Sequence, residues 1–239
     1  ESDPSLIAVG HKIDDTYYSF ANARCSFMDA GADNFGDISS DDEFSKKYAK
    51  SHFLTYAILE YAICLDISWQ VLWAYLQPSS FEYLVKNKYK EMEKECTSES
   101  VHSQLNCSIA QGAEGAKKAQ VLKDYLTTFE NDEDVKKIRS LYNSLKHQGM
   151  IHFEGLGENW SSMMMAVNGR KIPMICRKSY AMEEIEELLY SYHNKFKEYF
   201  NNLIDEIIPE EYLENKVGFG EYISTVLRMN HILDDNSKK

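Results

Sequence analysis

The stretch AILEYAICLDISWQVLWAYL, the latter half of a run from Glu43 to Leu76 that stops before Pro78, constrains this chain more than any other segment. It is apolar nearly all the way round a helical wheel, so it belongs in the centre of a helical bundle, in an oligomer interface or in a membrane. Glu60, Asp66 and Gln70 interrupt it. A charged group at mid-bilayer costs roughly 2.5 kcal/mol or more, which disfavours the membrane. A buried core or dimer helix is expected, and no membrane partner.

The rest of the chain agrees with helix. Only four prolines and eleven glycines punctuate 239 residues, which favours long helices over many short strands. Helical spacing and stop signals predict segments from Pro4 to about Ala30, from Ser79 to about Glu95, from Ala116 to Phe129 and from Asp132 to His147. Others run from Met182 to about Ile207 and from Pro209 through Met229. The polar stretch CTSESVHSQLNCSIAQGAEG reads as a loop or a broken helix. Asn168-Gly169, between SSMMMAV and KIPMICRKSY, is a strong two-residue hairpin signal, with Pro173 confining its strand to an edge. Met163, Met164, Met165 and Met174 are expected to pack in a core.

The expected fold is therefore all-α, an up-and-down helical bundle with a small inserted β-hairpin. As one domain of residues 1–239 it divides into an N-terminal helix and loop (1–42), core helices (43–149), the hairpin insertion (150–180) and C-terminal helices (181–239).

Charge and cysteines narrow the function classes. A net charge of −12 argues against passive coating of nucleic acid or anionic lipid, since that affinity comes from phosphates neutralised by Lys and Arg. Any nucleic-acid contact must be local. Five scattered cysteines without C-x-x-C spacing read as reduced thiols of a cytoplasmic protein. No secretion signal is recognisable in the N-terminal segment. H-E-x-x-H, paired-Cys and carboxylate-dense spacings are absent, so no metal or cofactor is expected.

One polar cluster stands out. In IRSLYNSLKHQG, Val135, Ile138, Leu141, Tyr142 and Leu145 share an arc that should face the core. Arg139, Asn143, Lys146 and His147 fall on the adjoining arc, and Arg139–Asn143 and Asn143–His147 are i,i+4 neighbours. Such a set suits phosphate chemistry. His147 can move protons at neutral pH, Arg139 and Lys146 can stabilise charge on phosphorus, and Asn143 can orient the imidazole or read a base edge. Tyr142 and Gln148 flank the cluster as candidate substrate contacts. Asp66 and Glu60 are candidate supports for the cations or, in the slightly favoured plainer reading, partners of backbone or Tyr groups; they point about 120° apart on one helix, so both cannot serve one site, and Asp66 is the one expected to.

The helix end YNSLKHQG, the preceding apolar helix with embedded acids (LEYAICLD) and the long helical layout resemble the HEPN superfamily, helical nucleotide-binding domains of which many are ribonucleases. The resemblance covers roughly residues 43 to 205. It implies an α-helical bundle, usually a homodimer, whose paired motifs form one cleft for metal-independent RNA cleavage. The family motif is Arg, four to six residues, then His, with a polar residue after the Arg. Asn143 and His147 match the latter two. Tyr142 stands at the Arg position, and Arg139 lies one turn further back. The expectation is an HEPN-like protein acting on RNA, either a metal-independent endoribonuclease of a toxin or antiphage system or an RNA-binding relative. The alternative is a non-catalytic, dimeric helical module for protein partners, such as an antitoxin. A small-molecule nucleotide binder ranks last, because no phosphate-cradling Gly-rich loop is present.

Overall fold

In a computed structural model, residues 4–36, 40–77, 86–112, 115–157, 164–173 and 178–208 are described. Over these residues the chain is all-α. Its elements run α1 (Pro4–Asp29), α2 (Glu43–Leu76), α3 (Lys86–Glu95), α4 (Ser98–Ala110), α5 (Ala116–Asn131) and α6 (Glu133–His147), then β1 (His152–Phe153), β2 (Met164–Val167), β3 (Arg170–Pro173), β4 (Ser179–Tyr180) and α7 (Met182–Ile207). The expected helix from Pro209 and the start of the one from Ser79 lie outside the described residues, as do Met163 and Met174.

Two compact units share these helices: residues 12–68 with 124–199, and residues 1–11 with 69–123 and 200–239. The first contains the whole of α6 and is held together by aromatic packing. Phe129 of α5 stacks on Tyr199 of α7 at 4.5 Å and meets Phe196 edge-on at 5.7 Å. Tyr61 and Tyr192, both fully buried, pack at 5.4 Å, and the Tyr192 hydroxyl donates to the Tyr61 carbonyl at 3.0 Å. Burial pushes the Tyr192 phenol well above its ordinary pKa, so it acts as a neutral donor. Within the second unit, Val71, Leu72, Val101, Leu105, Leu122 and Leu203 form a buried aliphatic set.

The apolar helix α2 is long and apolar enough to cross a membrane, but 61% of its most apolar window is buried in protein packing. Leu54, Ala57, Ile58, Tyr61, Leu65 and Leu72 supply its core face. One strip is left outside the core: Tyr48, His52 and Tyr56 are exposed, and Leu59, Ile63 and Ile67 are half-buried.

The stretch expected to be a loop or broken helix is regular helix over α4. Its polar composition hides two ordering devices. Thr97 caps the start, its hydroxyl accepting from the Ser100 amide at 3.1 Å while Ser100 Oγ accepts from the Thr97 amide at 2.8 Å. Val101 and Leu105, one turn apart, are fully buried. A reciprocal cap plus one i,i+4 apolar pair is enough to hold a short polar helix against a core.

The Asn-Gly hairpin forms as its turn chemistry requires. Asn168 and Gly169 both take positive φ, 51° and 77°, the backbone of a tight turn between twisted strands. Antiparallel pairing runs from Val167↔Arg170 to Met164↔Pro173, which leaves Pro173 at the strand's end. A second strand pair, not foreseen, is parallel: β1 and β4 join His152 to Ser179 and Phe153 to Tyr180.

Candidate functional site

Helix α6 is fixed at its start. Asp132 is the N-cap, accepting from the amides of Asp134 (2.9 Å) and Val135 (3.4 Å). Lys195 of α7 reaches back to Asp132 and Asp134, at 2.8 Å each, and Ser191 Oγ donates to Asp134 at 2.6 Å. The Lys195 hydrogen bond, then that of Ser191, holds the Asp134 carboxyl below the usual range. Lys137 Nζ donates to Glu184 at 2.6 Å. The cation that holds Asp132 and Asp134 lies some sixty residues away in sequence and leaves no local signal.

The wheel reading of α6 holds. Val135, Ile138, Leu141 and Tyr142 are buried, Leu145 is half-buried, and Asn143, Lys146, His147 and Gln148 are exposed. At the far end, the amides of Gln148 and Gly149 both donate to the Ser144 carbonyl, at 2.8 and 3.0 Å, and Gly149 takes φ 132°. That terminates the helix in a conformation suited to glycine. Lys146 and His147 occupy the last turn, where positive charge is favoured by the helix dipole.

Asp66 and Glu60 part company as their angle on α2 requires. Arg139 Nη1 donates to Asp66 Oδ1 at 2.5 Å. Glu60 turns to α1, accepting from Ser19 Oγ at 3.0 Å. Asp66 therefore supports the cluster and Glu60 does not. Arg139 also lies over the Tyr142 ring, 5.2 Å from its centroid, and Lys146 Nζ approaches the same ring at 4.9 Å. Tyr142, cast from sequence as both core residue and substrate contact, is 8% exposed. It is thus a platform for two cations rather than a surface for a ligand.

Asn143, Lys146, His147 and Gln148 make no side-chain hydrogen bond or ion pair with any described residue. In particular, Asn143 does not bond His147, so the amide does not orient the imidazole here. His152 sits five residues on, in β1, beside Ser179. Among the described residues no group of three or more His, Cys, Asp or Glu side chains is arranged to hold a metal ion.

The arrangement offers an exposed imidazole, an exposed ammonium and an open amide on one helix end, above a guanidinium anchored by a carboxylate. No protein-family model, curated protein or solved structure matches the chain.

Proposed function

We propose that the chain is an HEPN-like protein that acts on RNA through the end of α6. The supporting observation is that Asn143, Lys146 and His147 are exposed together on one ridge, with Arg139 beside them and both Arg139 and Lys146 lying over the Tyr142 ring. In the catalytic form of this reading, His147 accepts the proton of a ribose 2′-hydroxyl as its oxygen attacks the adjacent phosphorus. The 5′ oxygen leaves with a proton, and a 2′,3′-cyclic phosphate remains. Lys146 is the exposed cation for the charge developing on phosphorus. Arg139, committed to Asp66, holds the Tyr142 platform and the local positive field. Asn143 is left to contact a base edge.

The test is direct. Purified protein is incubated with a mixed RNA pool in excess chelator, and fragments are read by gel with end-group analysis. Cleavage to cyclic-phosphate ends is expected, with His147→Ala slower by about a hundredfold or more. Binding without cleavage, weakened by Lys146→Ala, would keep RNA as the ligand and remove the enzyme. An intact, unbound pool, with His147→Ala indistinguishable from wild type, defeats the proposal.

A second reading, a non-catalytic module for a protein partner, is favoured by one observation: the arginine nearest the motif histidine in sequence is spent on Asp66. A partner captured from the source cell that is insensitive to His147→Ala but lost on deleting the hairpin would support it.

A further inference from the structure

In a chain with 38 acids against 26 lysines and arginines, the contact of α1 with α7 gathers positive charge. Phe20 of α1 stacks on the His193 ring of α7, 4.6 Å between centroids, and Tyr61 of α2 meets the same ring with its hydroxyl 2.8 Å from Nδ1. Arg24 stands one turn beyond Phe20 and Lys197 one turn beyond His193, and both are exposed. Neither makes a hydrogen bond or ion pair with a described residue. Arg24 acts on the His193 ring and on the Tyr61 hydroxyl, Lys197 acts on the ring, and the charges acting on that ring are both positive. Glu60, next to Tyr61 in sequence, is turned to Ser19 at 3.0 Å. All of these residues belong to the unit of residues 12–68 with 124–199.

This packing also sets the tautomer of the imidazole. Burial keeps the Tyr61 phenol neutral by raising its pKa, so its hydroxyl donates to Nδ1 and the neutral ring carries its proton on Nε2. Nε2 has no hydrogen-bond partner among the described residues. It is open to solvent, since the buried side-chain nitrogens and oxygens left without a partner there are Trp73 Nε1 and Thr127 Oγ1. An open N–H beside an unpaired guanidinium and an unpaired ammonium is a set of donors for an oxyanion.

We propose that Arg24, His193 and Lys197 bind a phosphoryl group carrying two negative charges, as inorganic phosphate or as the end of a phosphomonoester. Two cations match a dianion, whereas a phosphodiester brings one charge and attracts each of them less. The site responds to pH. Around the ring stand Arg24 from α1, the neutral Tyr61 from α2 and Lys197 from α7, and with burial the two cations oppose its protonation. A bound dianion offsets both cations and favours the imidazolium. The inference goes beyond the RNA reading and uses no residue of α6.

The full chain is titrated in phosphate-free buffer at constant ionic strength, with affinities from calorimetry and the His193 ring proton followed by NMR, assigned through its loss in His193→Gln. Inorganic phosphate and glycerol phosphate, in separate arms, should both move that resonance, and the tighter of the two identifies free phosphate or an ester as the ligand. Dimethyl phosphate, a diester, should bind at least about tenfold more weakly. Arg24→Gln and Lys197→Gln should each weaken phosphate binding by about tenfold. Lys136→Gln, the same loss of charge on exposed α6, should change it by less than about twofold. Sulfate, a dianion throughout, should bind more tightly at about pH 5.5 than at about pH 7.5 in wild type and equally at both in His193→Gln. No movement of the His193 resonance up to about 10 mM phosphate, dimethyl phosphate binding as well as phosphate, or a loss in Lys136→Gln equal to that in Arg24→Gln would overturn the proposal. His147→Ala should leave the His193 response unchanged and Arg24→Gln should leave RNA cleavage unchanged, so the two readings fail separately.

Discussion

His193 shows how a residue without any motif acquires a consequence from its neighbours. Its ring stacks on Phe20 of α1 at 4.6 Å and 17°, and its Nδ1 lies 2.8 Å from the hydroxyl of buried Tyr61 on α2. A neutral ring accepts that hydroxyl; a protonated one presents a second donor there. Burial, with Arg24 and Lys197 nearby, holds the His193 pKa below its ordinary value. The unfolded chain therefore takes up this proton at higher pH than the folded one does. Stability should be full above the ordinary histidine pKa of about 6.5 and fall as pH drops from there towards the lowered folded value. Asp134 and Glu184, both held low by lysines, lose their contributions only in the more acidic range, near and below about 4. Urea midpoints at pH 7.5 and 5.5 should accordingly differ in wild type and converge in His193→Gln. Equal midpoints in the wild type would show that the ring is not protonated differently in the two states. Glu60 and Asp66 teach a related lesson. They share a helix and a charge, yet six residues of rotation send one to Ser19 and the other to Arg139.

Among the elements, α6 depends most on a single end. Asp132 both caps the helix and receives Lys195, so the cap also pins α6 to α7. Asp132→Ala should reduce stability by roughly 1–2 kcal/mol, most of it the lost cap, since the half-exposed ion pair is partly screened. Asp132→Asn keeps the capping oxygen and should retain most of that. Denaturant titration distinguishes the two, and equal losses would assign the effect to Lys195 instead. The hairpin and α4 make the same point from opposite sides. Asn168-Gly169 is a turn chemistry strong enough to read unaided, because positive φ at two successive residues excludes most alternatives. Helix α4 has no broad apolar stripe, only a cap and two buried residues, and is easily taken for a loop.

At the scale of the whole molecule, a net charge of −12 must coexist with a small positive patch. If RNA binds at the end of α6, Lys146 is the exposed cation at hand, Arg139 being held by Asp66, so about one phosphate is neutralised. The logarithm of RNA affinity should then fall with the logarithm of salt at a slope of about −0.7, far shallower than for a basic groove. Filter binding between 50 and 200 mM salt measures it, and a steep slope would place the RNA elsewhere on the chain. What the sequence determined alone is the local order: the helices with a strong apolar period, the turn at Asn168-Gly169, the exposed ridge of α6 and the divergence of Glu60 from Asp66 on one helix. Each follows from spacing within one element, where backbone geometry ties neighbours together. Tertiary structure decided the rest: that Arg139 is held by Asp66, that Lys195 grips the start of α6, that Tyr142 is a buried platform, and that β1 pairs with β4. Those partners lie tens of residues apart, where no spacing rule links them and only the packing of buried surfaces selects which groups meet.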